Sequence, residues 1–157
     1  MVQLIQVTEE GNDLMTIRQL FREYEAELNV DLCFQSFEDE LKDPLKKYGA
    51  PAGALLLALW EGEVAGCIAL TPLKEVGVCE MKRLYVRGAY RKHGIGRILV
   101  DALLQEAKQR EYSRMKLDTL QRLQAAVRLY EQYGFVHTKA YYVNPIDDVV
   151  YMEKSLE

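Results

Sequence analysis

The residues best suited to chemistry lie in a short basic segment that follows an apolar, β-prone run ending at Val86. Arg91, Gly94 and Gly96 form the pattern Arg-x-x-Gly-x-Gly. A helical periodicity of apolar residues then begins at Ile95. The order of strand, glycine loop and helix start leaves backbone N–H groups without partners at the positive end of a helix dipole, where a phosphate can bind. The pattern therefore predicts an anion site in which the glycines admit a ligand without a Cβ clash, although an ordinary two-glycine turn would also match.

Two common phosphate-binding loops do not fit this segment. A dinucleotide fingerprint requires a third glycine where this chain has Leu99, and a P-loop requires Gly-Lys-Ser or Gly-Lys-Thr where Gly96 is followed by Arg97. The charge pattern still favours an anionic ligand, because residues 81–100 contain six Lys or Arg and no Asp or Glu in a chain of net charge -4. A solvated charged loop is the alternative.

Length and composition predict a single soluble globular domain over residues 1–157, of which 49% are hydrophobic and 28% charged. The longest apolar run, Ala54 to Trp60, is too short to cross a bilayer, and the first residues do not resemble a signal peptide. Cys33, Cys67 and Cys79 are odd in number and lack metal-ligand spacing, which predicts reduced thiols in a cytoplasmic protein without a metal. The acidic balance argues against nucleic-acid binding.

Periodicity predicts a mixed α/β fold. Seven strands are predicted over residues 2–7, 54–60, 64–70, 78–86, 115–119, 135–142 and 149–153. Four helices are predicted: from Asn12 or Asp13 to Leu28, from a Ser36 cap through Tyr48, from the glycine loop to about Arg110, and from Arg122 to Tyr133. Residues 29–35 are expected to form a loop. The three strands between residues 54 and 86 suggest an antiparallel meander that leads into the glycine loop.

Three segments with matching spacing resemble the GNAT superfamily of N-acyltransferases along nearly the whole chain. Cys79 to Val86 is similar to the family's fourth strand, Arg91 to Gly96 to its pyrophosphate loop, and Ala126 to Phe135 to its Ala-x-x-Leu-Tyr-x-x-x-Gly-Phe segment. The resemblance implies an α/β (mixed α+β) GNAT fold, in which four helices flank a twisted, mostly antiparallel sheet of about seven strands. It also implies acetyl-CoA as the co-substrate and no metal.

The resemblance further implies that acetyl-CoA is held mainly by the backbone. The fourth and fifth strands would splay apart, and the pantetheine arm would pair with Leu84, Tyr85 and Val86 in the gap. The remaining cofactor-binding positions would be Arg91, Lys92, His93, Gly94, Ile95, Gly96, Arg97 and Ala126. This chain departs from the family at Leu123, where an asparagine often helps to hold the pantetheine, so that Gln124 or Arg128 would have to substitute.

Two catalytic residues are implied by the same resemblance. Tyr130 matches the tyrosine that many members use as a general acid, and a phenol with a pKa of about 10 can protonate a departing thiolate. A core tyrosine on an apolar helix face is the alternative. Glu80 matches the general base of some members, although an ion pair with a Lys or Arg on a neighbouring strand explains a buried carboxylate equally well, and other members use a water chain. By fold position alone, the acceptor side would be walled by Phe34, Gln35, Tyr141 and Tyr142.

These inferences predict an N-acetyltransferase that transfers an acetyl group from acetyl-CoA to a primary amine of a small molecule, by direct attack in a ternary complex. Acetylation of a protein lysine or N-terminus is a second hypothesis. A CoA-binding regulatory module without turnover is a third. No nucleic-acid or membrane partner is expected, and the possibility of a homodimer is left open.

Overall fold

The computed structural model describes residues 1–29, 32 and 36–157, and a sheet of seven strands forms the centre of this part of the chain. The strands are β1 (Val2–Gln6), β2 (Ala54–Trp60), β3 (Glu63–Pro72), β4 (Val78–Val86), β5 (Arg114–Leu120), β6 (Val136–Thr138) and β7 (Val149–Ser155). Their order is β1-β2-β3-β4-β5-β7-β6, and every neighbouring pair is antiparallel except β4 and β5. The mixed, mostly antiparallel sheet and the meander β2–β3–β4 are therefore confirmed.

Helices cover both faces of this sheet. The five α-helices of the described part are α1 (Asn12–Leu28), α2 (Phe37–Lys42), α3 (Pro44–Tyr48), α4 (Ile95–Gln109) and α5 (Gln124–Gln132), and a 3-10 turn spans Gly88–Tyr90. One apolar core lies under α4 and α5, and a second lies under α1, α2 and α3. Because both faces are covered, β2 is apolar on both sides: Leu56 points into the first core, and Leu55 and Leu57 point into the second.

The helix predicted from Ser36 to Tyr48 is wrong in one respect, because it consists of two short helices. Pro44 is the first residue of α3, and the residue before a proline is driven out of the helical region. Asp43 accordingly has φ -145 and ψ 77. Ser36 stands in the left-handed region, with φ 57, and its side chain makes no capping hydrogen bond. The proline therefore outweighs the helical periodicity of the apolar residues.

The strand predicted over residues 135–142 is also wrong in its length. Only Val136–Thr138 pairs with β7, and residues 139–148 form an irregular connection. Tyr141 and Tyr142 lie in that connection. Most of the loop expected at residues 29–35 lies outside the described residues, as do Phe34 and Gln35 within it.

A β-bulge interrupts β4 where its pairing with β5 has just ended. Between the β3–β4 pairs Ala69↔Lys82 and Cys67↔Tyr85, two residues of β4 face a single residue of β3, and the first of the two, Arg83, has φ 61. Pairing of β4 with β5 covers only residues 78–80 of β4 and 114–116 of β5. A bulge bends its strand and increases the local twist. The two strands therefore diverge from Met81 onward.

The bulge is anchored by a buried ion pair. Arg83 Nε donates to Glu40 Oε2 at 2.8 Å, and Nη2 donates to Oε1 at 2.9 Å, with both side chains only 2% exposed. The guanidinium also lies over the rings of Tyr24 and Phe37, at 5.8 and 5.4 Å from their centroids. Burial is the largest effect and raises the pKa of Glu40, but the hydrogen bonds and charge of Arg83 together with the charge of Lys47 outweigh it, so the pKa is lowered. This pair connects α2 to the bulge.

Replacing Glu40 by glutamine should lower the free energy of unfolding by about 3–5 kcal/mol at pH 7, because the buried Arg83 charge loses its counter-charge. Since the pKa of Glu40 is lower in the folded state, its contribution is present above the unfolded pKa and is lost as the pH falls through the folded value. Urea unfolding at several pH values measures both effects. Glu38→Gln, which changes an exposed carboxylate on the same helix, is the matched control. Equal stability of the two variants would contradict this prediction.

Candidate active site

A cavity of about 700 Å³ crosses the sheet in the gap between β4 and β5. On the α4–α5 side its lining includes Leu84, Val86, Gly96, Ala126, Leu129 and Tyr130. On the α1 side its lining includes Tyr24, Leu28, Lys82, Asp118 and Leu120. This volume is typical of small-molecule sites. The divergence of two parallel strands therefore creates an opening that is accessible from both faces of the sheet.

The strand residues expected to bind the cofactor all line this cavity. Leu84, Tyr85 and Val86 belong to the part of β4 that is not paired with β5. One backbone edge of this segment is thus available for hydrogen bonds with an extended ligand, in the manner of an added strand. The gap predicted between the fourth and fifth strands is present.

The two glycines of the loop have different explanations: Gly94 is explained by its backbone conformation, and Gly96 by the space that it leaves for a ligand. Gly94 precedes α4 in the left-handed region, with φ 75, where glycine is favoured. Gly96 has no such need, because a Cβ there would meet only Leu129 Cδ2, at an ordinary 3.7 Å. It nevertheless lines the cavity beside the first turn of α4, whose N–H groups lack helical partners. The absence of a side chain at position 96 therefore leaves space that a bound phosphate or pantetheine arm can use.

The other loop residues differ in their positions. Arg91 lines the cavity, and its Nε donates to the carbonyl of Val86 at 2.9 Å. His93 stacks on Trp60 with 4.4 Å between ring centroids. Arg97 lies over the ring of Tyr133 at 5.8 Å. Ile95 is 2% exposed, so its backbone rather than its side chain is available to a ligand. Lys92 is exposed, with φ 74.

The cations of residues 81–100 have carboxylate partners in distant parts of the chain. The lack of Asp and Glu within residues 81–100 therefore does not mean that this segment is without counter-charges. Glu23 accepts two hydrogen bonds from Arg87, at 2.9 and 2.8 Å. Glu27 pairs with Arg91 at 2.6 Å, and both of these side chains are about half exposed. Together with the buried pair at the bulge, acids of α1 and α2 thus compensate three of the six cations.

Tyr130 is buried where the cavity passes through the sheet. Its side chain packs edge-on against Phe135, with 5.9 Å between centroids, and the residue is 7% exposed. Burial raises the pKa of Tyr130, and Tyr24 and the Asp118 carboxylate raise it further. The hydroxyl is therefore protonated at neutral pH, and it can donate a proton into the cavity.

Glu80 has a neutral partner instead of the ion pair that was the alternative explanation. The Tyr141 hydroxyl donates to its Oε2 at 2.6 Å, and no cation lies within 4.0 Å of its carboxylate among the residues that the structure describes. Burial and the Glu80 charge raise the pKa of Tyr141. Glu80 is 5% exposed and is not part of the cavity lining. Glu80 therefore directly precedes the lining residues Met81 and Lys82 but does not line the cavity itself.

Asp118 is a site residue that the sequence analysis missed. It lines the cavity on β5, two residues beyond the last pair with β4, and its carboxylate accepts a hydrogen bond from the Tyr142 hydroxyl. Asn144 Nδ2 donates to the same hydroxyl at 2.9 Å. A signal was present, because Lys116 and Asp118 alternate with buried apolar residues on a central strand, where charges require partners.

The segment in which the family's asparagine is missing also lines the cavity. Residues 123–126 contribute, including Leu123, Gln124 and Ala126. Gln124 is therefore placed to contact a ligand in the cavity. Arg128 is absent from this lining, which makes Gln124 the better placed of the two substitutes.

Residues 1–29, 32 and 36–157 lack two further features. No group of three or more His, Cys, Asp or Glu side chains in this part of the chain could hold a metal ion. None of its helices combines the length and the apolar character that a membrane span requires. The two described cysteines are buried free thiols, and burial raises the pKa of Cys79 to about 12.

Comparisons with known proteins agree with this geometry. Residues 14–135 match the model of the acetyltransferase (GNAT) family. A protein from Schizosaccharomyces pombe, named as an uncharacterized N-acetyltransferase, is 48% identical over 141 residues, which cover 89% of this chain and 86% of the relative. A GNAT-family acetyltransferase from Staphylococcus aureus Mu50 has a TM-score of 0.79 at 20% identity over 100% of both chains. The Salmonella typhimurium protein yncA, solved with its cofactor acetyl-CoA, has a TM-score of 0.68 at 20% identity over 98% of this chain and 94% of the other.

These findings carry different weight. The two solved structures, at 20% identity, show the fold, which confirms the expected fold class. The family match covers most of the chain, and the Schizosaccharomyces pombe relative is similar over nearly its whole length. The chain therefore belongs to the acetyltransferase (GNAT) family and is an acetyltransferase, as its sequence predicted.

Proposed function

We propose that the protein transfers the acetyl group of acetyl-CoA to a primary amine of a small molecule, within a complex that holds both substrates. The observation that carries this proposal is the cavity through the sheet, which has the glycine loop at one side and the Asp118 carboxylate at the other. Family membership supports acetyl-CoA as the donor. The yncA structure supports it too, because that protein was solved with acetyl-CoA.

The donor site is formed by the α4–α5 side of the cavity. The free edge of residues 84–86 would hold the pantetheine arm, and the first N–H groups of α4 would hold the pyrophosphate. Arg91 can exchange Glu27 for a phosphate oxygen, because their ion pair is half exposed and is therefore weak. Gln124 and Ala126 of α5 would close the site from the opposite side.

The reaction requires one proton to leave the amine and one to reach the departing sulfur. Acetyl-CoA supplies an activated thioester, whose C–S bond breaks as the new C–N bond forms. Tyr130 would donate its hydroxyl proton to the sulfur, since the hydroxyl is protonated at neutral pH and Tyr130 lines the cavity. Glu80 would accept the proton of the amine through water, since its carboxylate is near the cavity but does not line it.

A CoA-release assay over amines and peptides tests this proposal. Release with small amines would support it. Release with peptides alone would favour the acetylation of a protein lysine or N-terminus. CoA binding without release for any acceptor would favour a regulatory module and contradict the proposal. A cytoplasmic location and a homodimer remain predictions that need separate measurements.

Replacing Gly96 by alanine should weaken CoA binding while leaving the fold intact. The new Cβ would occupy the cavity next to the helix N–H groups, so the dissociation constant should rise at least about tenfold, or about 1.4 kcal/mol. Alanine is favoured over glycine in helices by about 0.5–1 kcal/mol, so the free energy of unfolding should be equal or higher. Titration calorimetry and urea unfolding measure the two quantities.

The matched control for this variant is Gly88→Ala. Gly88 lies on the same connection, and a Cβ there would meet nothing within 4 Å. Its CoA affinity should equal that of the wild type. Unchanged affinity in Gly96→Ala as well would exclude the start of α4 from the donor site.

Replacing Tyr130 by phenylalanine should lower kcat by roughly 10- to 10³-fold, with little change in the KM for acetyl-CoA. The ring would still pack against Phe135, so the fold should be retained. An interaction made mainly in the transition state appears in kcat and kcat/KM together. Steady-state kinetics on folded, CoA-binding protein provide the measurement. Tyr112→Phe is the control, because it removes a hydroxyl that only binds the carbonyl of Ala52. A kcat within about twofold of the wild type would leave the protonation of sulfur to solvent.

Replacing Glu80 by glutamine should lower turnover mainly at acidic pH, where the unprotonated amine is scarce, by about 10²–10⁴-fold if Glu80 is the base. The pH profile of kcat/KM for the amine is the measurement. Tyr141→Phe keeps the carboxylate and removes its hydrogen bond, so it separates the charge from the structural contact. A profile of unchanged shape in folded Glu80→Gln would assign Glu80 a structural role.

A further inference from the structure

We propose that Asp118 binds the ammonium group of the acceptor, and that the acceptor is a small monoamine with an apolar body. This inference rests on the proposed function, and it names the class of amine that the site takes. It follows from three features of the α1 side of the cavity: the position of one carboxylate, the apolar walls beside it, and the cations around it.

Asp118 is the carboxylate best placed to meet an amine. It lies where β5 has left β4, on the face of the sheet that is covered by α1, and it lines the cavity. The Tyr142 hydroxyl donates to its Oδ2, and Asn144 holds that hydroxyl in turn. Asp118 and the proposed acid Tyr130 line the same cavity. An ammonium bound at Asp118 would release one proton to solvent, its nitrogen would then attack the acetyl carbon in this cavity, and the second proton would leave toward Glu80 as the amide forms.

The other carboxylates near the cavity are engaged elsewhere. Glu80 accepts the Tyr141 hydroxyl and does not line the cavity. Glu27 does line it, but its carboxylate pairs with Arg91 at 2.6 Å on the donor side. Asp118 lines the cavity on the acceptor side, where its described partners are the Tyr142 hydroxyl and the charge of Lys82.

The walls beside Asp118 are apolar. Leu28 and Leu120 belong to the core under α1, and Ile146 of the connection before β7 and Val149, the first residue of β7, pack against that core. All four line the cavity. An amine with an alkyl or aryl body would bury that body here, at about 25 cal/mol per Å² of apolar surface. A polyhydroxylated amine would lose hydrogen bonds to water without obtaining replacements.

The same end of the cavity carries cationic side chains. Lys82, Arg83 and Arg122 line it, and Arg83 is compensated by Glu40 outside the cavity. The charge of Lys82 interacts with Glu80 and Asp118, so an acceptor with several positive charges would place its additional charges near Arg122. Repulsion between like charges in a partly desolvated site is unfavourable. A monoamine is therefore expected to bind better than a polyamine or an aminoglycoside.

The test compares acceptors and variants in one CoA-release assay at saturating acetyl-CoA. For the wild type, kcat/KM should be at least about tenfold higher for 2-phenylethylamine and n-butylamine than for spermidine or kanamycin. In Asp118→Asn the KM for 2-phenylethylamine should rise at least about tenfold, and the KM for acetyl-CoA should stay constant. Asp13→Asn is the control, because it makes the same change at an exposed carboxylate in the first turn of α1 that does not line the cavity. Its KM for the amine should stay within about threefold of the wild type.

A second measurement does not depend on turnover. Calorimetry of n-butylammonium chloride against the CoA-saturated protein should detect binding in the wild type, and binding at least about tenfold weaker in Asp118→Asn. Turnover with a preference for spermidine or kanamycin, or equal amine KM values in wild type and Asp118→Asn, would overturn this inference and leave the proposed function standing. Butylammonium binding that requires Asp118, without CoA release, would overturn the proposed function and support the docking site. A wild type that neither binds nor acetylates the monoamines would overturn the inference.

Discussion

The bulge at Arg83 is the local feature on which the cavity depends. It bends β4 away from β5 just after their last shared pair, and it thereby exposes one backbone edge of residues 84–86. A non-glycine residue with φ 61 is unfavourable, and so is a buried guanidinium. Two hydrogen bonds from Arg83 to Glu40 offset these costs. The stability of α2 on the sheet and the opening between the strands are therefore connected through one ion pair.

The solvent exposure of the side chains distinguishes this ion pair from the one that Glu27 of α1 makes with Arg91. The Arg83 and Glu40 side chains are each 2% exposed, so breaking their pair would leave a charge without solvent. Arg91 and Glu27 are 47% and 49% exposed, and such pairs contribute about 0–1 kcal/mol. The first pair can therefore fix the shape of the sheet. The second can orient Arg91 toward the cavity and still be exchanged for a ligand phosphate at little cost.

Local sequence signals predicted most of the fold, because periodicity and breakers determine which segments are strands and helices. Residues of the glycine loop and of the Leu-Tyr-x-x-x-Gly-Phe segment line one cavity, and the roles assigned to them remain predictions. Three features could not be predicted in this way. The steric effect of Pro44 competed with an apolar pattern, and the length of β6 depends on pairing with β7. The contacts of Asp118 with Tyr142, and of Glu27 with Arg91, join residues far apart in sequence, so they become visible only once the register is known.

The parallel orientation of β4 and β5 explains why donor and acceptor groups meet at one point. Parallel strands present their carboxyl ends at the same edge of a sheet, where open sheets commonly bind ligands. After the strands diverge, residues that alternate along each of them point to opposite faces. The bulge inserts one extra residue between Lys82 and Tyr85, so Leu84 and Val86 face the glycine loop and Tyr130, while Lys82 and Asp118 face α1. In the proposed reaction the thioester and the amine approach from opposite sides of the sheet, and the gap between the strands is the place where nitrogen can reach the acetyl carbon.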